Sequence, residues 1–238
     1  MTNRVWTIAA VAAAAGSALT ALVLMALQFG ILVNDLALQN GAQSAPLPLR
    51  QLLDASSSLS LPYILVELIA VVLLIAWVNR TYVTLQELGA HELQGSPGGA
   101  VGWWFVPIAN LFKPFQYLRE IWRALTPGLT PNDSSSRAKL SGGGIVLALQ
   151  ILAIFTLVLT LVVRGVGQSA ATLDGFIRFR ALNATLLASR ASYVLLSIVF
   201  ILAVAGRQAK LAAKPPEEVV RRTERKAPLP QFFLGARG

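Results

Sequence analysis

Gly144-Ile145-Val146-Leu147-Ala148-Leu149-Gln150-Ile151-Leu152-Ala153-Ile154-Phe155-Thr156-Leu157-Val158-Leu159-Thr160-Leu161-Val162-Val163 runs without a charged residue. About 20 apolar residues suffice to cross the hydrocarbon of a bilayer, and this run is that long. Three others accompany it. Val5 to Val33 is broken only by small or weakly polar residues and Gln28, Leu61 to Val78 leads through Trp77 to Arg80, and Leu186 to Ala205 completes the series. The pattern predicts an all-α, polytopic membrane protein with four transmembrane helices, at about 5–33, 61–78, 144–163 and 186–205. It also predicts an extramembrane loop from Asn34 to Ser60, marked by Gly41, Pro46, Pro48 and the Ser56-Ser57-Ser58 cluster, and a short loop carrying Arg164, Asp174, Arg178 and Arg180 between the last two spans. The first run is too long for the apolar core of a signal peptide, and no small-residue cleavage site follows it closely, so it reads as a retained anchor. Ala10, Ala14 and Ala18 recur every four positions along it and predict a smooth stripe where another helix can approach closely.

Composition agrees. The chain of 238 residues is 55% hydrophobic and only 13% charged, with a mean hydropathy of +0.63. Soluble domains carry roughly a quarter charged residues, so lipid is the natural solvent for much of this surface. The net charge of +9 does not point to nucleic acid, because the basic residues lie mostly outside the apolar runs and no folded domain is left over to present them. Their distribution sets the orientation instead. Arg4, the six basic residues from Arg80 to Lys139 and the eight from Arg207 onward fall on one side, against Arg50, Arg164, Arg178 and Arg180 on the other. Lys and Arg are retained on the cytoplasmic face, which predicts both termini inside, and the abundance of Ala, Leu, Val, Gly and Arg suggests a bacterial plasma membrane. The expected partners are the bilayer and its anionic headgroups, with a protein partner or a second copy of the chain also open. The absence of cysteine excludes disulfides, thiolate metal sites and a cysteine nucleophile, and a single histidine excludes a histidine-rich metal site. No cofactor or metal is expected. Residues 207–238, rich in Lys, Arg, Glu and Pro, predict a basic, disordered cytoplasmic tail.

Between the second and third spans lies Ser96-Pro97-Gly98-Gly99-Ala100-Val101-Gly102-Trp103-Trp104-Phe105-Val106-Pro107-Ile108-Ala109-Asn110-Leu111-Phe112-Lys113-Pro114. Its apolar part is too short to cross and is punctuated by Gly and Pro, so the segment at 97–126 reads as an interfacial or re-entrant helical hairpin. Pro114 suits the first turn of a helix. Leu111, Phe115, Leu118, Trp122 and Leu125 then follow one helix face, with Lys113, Arg119 and Arg123 as the basic part of its surface. Such a helix either lies in the membrane interface or packs one-sidedly against the spans. Trp77, Arg80, Trp103, Trp104 and Trp122 join those three basic residues as expected membrane-interface residues, because indoles and cations settle at headgroup level.

The string Trp77-x-x-Arg80, Leu88-Gly89, Ser96-Pro97 and the Trp103 to Pro114 run ending near Trp122 resembles the bacterial family called domain of unknown function 4328. That resemblance implies a small multi-pass membrane protein with a Trp-Phe-x-Pro-x-x-Asn-Leu-x-x-Pro signature after the second span. It is dense from Trp77 to Trp122, and it implies no activity.

The candidate ligand-binding residues are Glu67, Arg190, Pro107 and Asn110. Glu67 and Arg190 sit inside spans two and four at depths that differ by only about 3 Å at 1.5 Å per residue. Charges within a bilayer pair or face water, so the two are expected either to be neighbours in an outward-facing polar pocket or to act singly, Arg190 by snorkelling and Glu67 as structural glue. Pro107 and Asn110 interrupt the short apolar segment, where freed backbone groups can line an ion site or form an interfacial elbow. Glu87 and His91, four residues apart, share a helix face and read as a solvated surface. No Ser/His/Asp set, phosphate loop or catalytic carboxylate pair is present, so no catalytic residue is assigned and an enzyme is the least expected class. A non-enzymatic membrane module or subunit is expected first. A small permease or ligand-binding protein built on Glu67 and Arg190 is the alternative.

Overall fold

A computed structural model of the chain describes residues 2–88, 93–126, 141–169 and 172–213. Six helices account for most of these: α1 (Thr2–Gln39), α2 (Leu49–Glu87), α3 (Pro97–Gly102), α4 (Lys113–Ala124), α5 (Ser141–Ser169) and α6 (Leu173–Ala212), with two short 3-10 turns at Trp103–Phe105 and Ala109–Leu111. The fold is all-α, and α1, α2, α5 and α6 are long and apolar enough to cross a membrane. His91, Glu92 and the tail beyond residue 213 lie outside the described residues.

The four long helices pack antiparallel in a row. α1 lies between α2 and α6, and α5 packs on the far side of α6. Along α1 and α2 three side-chain bonds recur in equal steps on both helices: Trp77 Nε1–H donates to Thr7 Oγ1 at 3.2 Å, Ser17 Oγ–H to Glu67 Oε1 at 3.0 Å, and Gln28 Nε2–H to Ser56 Oγ at 3.0 Å. Small residues make this close approach possible, since Ala10, Ala14, Ser17, Ala18 and Ala21 of α1 are all buried. α6 follows α1 from end to end: Asn3 Nδ2–H donates to Gln208 Oε1 at one end, and Gln39 Nε2–H to Asp174 Oδ1 at the other, both at 2.6 Å. The beginning of α1 and the end of α6 therefore meet at the same end of the bundle, the end that carries α3 and α4.

The helices are longer than the apolar runs. Asn34 to Ser60, expected as a loop, is helical except around residues 40–48. The serine cluster does not break α2, because the Ser57 and Ser58 hydroxyls donate to Asp54 O and Ser60 donates to Ser56 O, satisfying themselves on the preceding turn. Pro62 is accommodated inside the same helix. The loop expected after Arg164 is likewise mostly helix. α5 continues to Ser169, and α6 starts at Leu173 behind Thr172, whose hydroxyl accepts Gly175 N–H at 3.1 Å as an N-cap. Arg207 continues α6 rather than starting the tail.

At the hairpin end the main core gathers Trp77, Val78, Tyr82 and Leu85 of α2, Phe115, Leu118 and Ile121 of α4, Val146 and Leu149 of α5, and Phe200, Ile201 and Val204 of α6. α4 bridges α2 and α5, the two outer helices of the row. Its apolar face is turned onto protein, and Pro114, Phe115, Tyr117, Leu118 and Ile121 are all buried. α4 thus packs one-sidedly against the spans.

Candidate functional site

An intramembrane polar relay runs across α1, α2 and α6. Glu67 of α2 accepts two hydrogen bonds on Oε1, from Ser17 of α1 at 3.0 Å and from Tyr63 of α2 at 2.9 Å. Tyr63 sits one turn before Glu67, so the helix itself aligns the pair. Having donated its proton to Glu67, the Tyr63 hydroxyl accepts from Arg190 Nη1 of α6 at 3.2 Å, and the guanidinium carbon lies 6.0 Å from the centre of its ring. Glu67 and Arg190 are therefore joined through Tyr63 rather than by a direct ion pair. The relay reaches across α1 because Ala21, which is 1% exposed, packs in one cluster with Tyr63, Leu187 and Ala191. A larger side chain there would wedge between the two outer partners.

Further along the same seam, away from the hairpin end, Arg180 Nε of α6 pairs with Asp35 Oδ2 of α1 at 2.6 Å. Arg180 Nη1 lies 3.5 Å from Gln28 Oε1. The arginine expected in a loop thus closes a half-buried ion pair between two helices. On the other face of α6, Thr156 and Ser189 share a hydrogen bond of 2.6 Å with α5. Most polar groups that the spans carry are spent on each other.

The remaining expected residues are elsewhere. Pro107 is exposed and Asn110 half-buried on the hairpin, and no described hydrogen bond connects them to the relay. The Asn110 backbone N–H, not its side chain, closes the elbow by donating to Val106 O at 2.8 Å. Trp77 departs from the expected interface anchor. It is 0% exposed, meets the Phe200 ring edge-on, and gives its indole N–H to Thr7 instead of to headgroups. Trp122 is half-buried, stacked on Phe200, and the Arg207 guanidinium lies 3.7 Å from its ring centre and donates to Thr126 Oγ1. Arg119 donates to Gln150 Oε1 of α5 at 2.7 Å, so it braces α4 rather than facing lipid. Arg80 lies over the Trp6 ring and Lys113 over Trp103, while Arg123 is exposed. The half-buried Trp104 leaves its indole N–H without a partner among the described residues. The exposed apolar surface of the hairpin is its elbow, where Phe105 is 75% and Ile108 78% exposed beside Phe112.

Sequence reasoning missed Tyr63, Ser17 and Asp35. Tyr63 carried a signal, its spacing of one turn from an intramembrane glutamate. Ser17, one residue before Ala18 of the small-residue stripe, carried none that distinguished it. Among the described residues no group of three or more His, Asp or Glu side chains is arranged to hold a metal.

A family model described as a domain of unknown function (DUF4328) matches residues 51–206, which take in nearly all of α2, the hairpin, α5 and most of α6. No curated protein and no solved structure matches the chain.

Proposed function

The chain belongs to the DUF4328 family, and from that premise we propose that it is a non-enzymatic membrane module, a subunit that works through a protein partner in a bacterial plasma membrane. Both ends of its bundle chain lie on the cytoplasmic side in this reading, where the basic residues concentrate. The observation that carries it is the pairing of the intramembrane polar groups. Ser17, Tyr63, Glu67, Thr156 and Ser189 bond to one another and hold helices together, while α2 and α5 present long apolar flanks such as Leu65, Leu68 and Val72, and Ile151, Phe155 and Val158. Lipid or a partner's helices are the solvents for those flanks. The hairpin elbow seats Phe105 and Ile108 in the cytoplasmic leaflet, with exposed Arg123 among the anionic headgroups.

A small permease or ligand-binding protein is the second reading, favoured by one observation: Arg190 has no carboxylate against it among the described residues. Native mass spectrometry of the protein extracted gently from its own membranes separates the two. The subunit reading expects a stoichiometric second polypeptide. A homodimer that retains a small molecule, lost on Glu67→Gln or Arg190→Gln, would overturn it in favour of the permease.

A further inference from the structure

Arg180 and Arg190 sit on the same helix and face the same seam, yet their surroundings differ. Arg180 has Asp35 at 2.6 Å and Gln28 beyond it. Among the described residues, Arg190 has only the hydroxyl of Tyr63, a neutral acceptor whose single proton is already given to Glu67. A guanidinium carries five N–H donors, and at Arg190 one of them is used by a described group. Glu67, one hydroxyl away, offsets the charge but reaches none of the remaining donors.

The placement is also specific. Arg190 lies about 6 Å, four residues, inside the end of its apolar run remote from the hairpin. An unrestrained arginine at that depth turns its head out to water. Here the guanidinium is drawn sideways across Ala21 onto Tyr63 and is half-buried. It is held inside that apolar run, half-buried, with its fork of donors only partly engaged. Forked donors of this kind recognise phosphate through two parallel charge-assisted bonds.

We propose that Arg190, braced by Tyr63, is a binding site for a phosphate group that enters at the end of the bundle opposite the hairpin. A lipid headgroup and free inorganic phosphate share this chemistry, and the test distinguishes them. The site goes beyond the packing role of the relay and does not depend on the partner proposed above.

The test uses the full chain in dodecyl maltoside micelles, whose headgroups carry no phosphate, with its unfolding midpoint followed as phosphatidylglycerol or inorganic phosphate is added. Wild type is expected to be stabilised by phosphatidylglycerol. Arg190→Gln is expected to weaken that response at least about tenfold, the scale of one charge-assisted contact. Arg178→Gln, which removes an exposed charge on the same helix, is expected to leave it unchanged. Stabilisation of wild type by inorganic phosphate, again lost with Arg190, would identify a free anion as the ligand; response to the lipid alone would identify the headgroup. Should Arg190→Gln fail to fold, Tyr63→Phe keeps the cation but removes its brace and is expected to weaken the response several-fold. Equal responses in wild type, Arg190→Gln and Tyr63→Phe, or no response of wild type to either addition, would overturn the site.

Discussion

Replacing Trp77 by alanine is expected to lower the unfolding free energy in detergent or lipid by about 3–5 kcal/mol, the cost of emptying a large aromatic site in a core. Trp77 is fully enclosed and touches Phe200 edge-on, with ring centroids 6.3 Å apart at 81°. Edge-to-face pairs of this kind add to the plain burial of both rings. Its indole N–H is satisfied by Thr7 at 3.2 Å, so the substitution also strands a bond between α1 and α2. Lipid tails are as apolar as the core, so little of the loss comes from transfer. The cavity and the missing van der Waals contacts supply most of it. Trp103→Ala is the matched comparison: that ring is 36% exposed, and its removal is expected to cost under about 1 kcal/mol. Thermal unfolding of both variants checks the contrast. Equal effects would mean that Trp77 faces lipid, as its place beside Arg80 in the sequence suggests.

Gly99→Ala is expected to be the most damaging small substitution in the hairpin. A Cβ at Gly99 would overlap the Tyr117 hydroxyl, and one at Gly95 would come within 2.5 Å of the same ring. α3 at Gly99, and the turn before it at Gly95, are pressed onto Tyr117 of α4, and Ser96 caps α3 by accepting Gly99 N–H at 3.1 Å, so neither side can yield freely. Overpacking of this kind costs about 1–3 kcal/mol. Because the first atom met is the phenolic oxygen, Tyr117→Phe should recover part of the loss, and the double variant should be more stable than Gly99→Ala alone. Gly98, with nothing within 4 Å of its Cβ position, should accept alanine at no cost. A Gly99→Ala protein as stable as Gly98→Ala would contradict the packing of α3 on α4.

The existence and order of the spans were legible because hydropathy alone decides them. Their ends were not. Ser57, Ser58 and Ser60 read as a loop, yet each can bond to its own preceding turn, and the helix is then extended by tertiary partners that no local pattern reveals, such as Gln39 with Asp174. Trp77 was misplaced for the same reason. An indole followed by an arginine is the mark of a membrane interface, and the acceptor that draws it inward, Thr7, is 70 residues away. Depth matching brought Glu67 and Arg190 to one level. It could not show that α1 stands between their helices, which is why Tyr63 has to bridge them. In the hairpin the amphipathic period of α4 was plain, and only the packed structure distinguishes a face turned to protein from one turned to lipid.

The most direct measurement of the four-span arrangement uses the natural absence of cysteine. Single cysteines would be placed at Ser44 and Leu173 on one end of the bundle and at Gln94 and Ala213 on the other, all exposed positions. An impermeant maleimide is then added to intact spheroplasts. The expected result is labelling of the first two from outside, and of the last two only after lysis. Ser44 and Gln94 reacting from the same side would contradict the crossing of α2 and with it the four-span fold, whereas a fully reversed pattern would keep the spans and overturn the cytoplasmic placement of both ends.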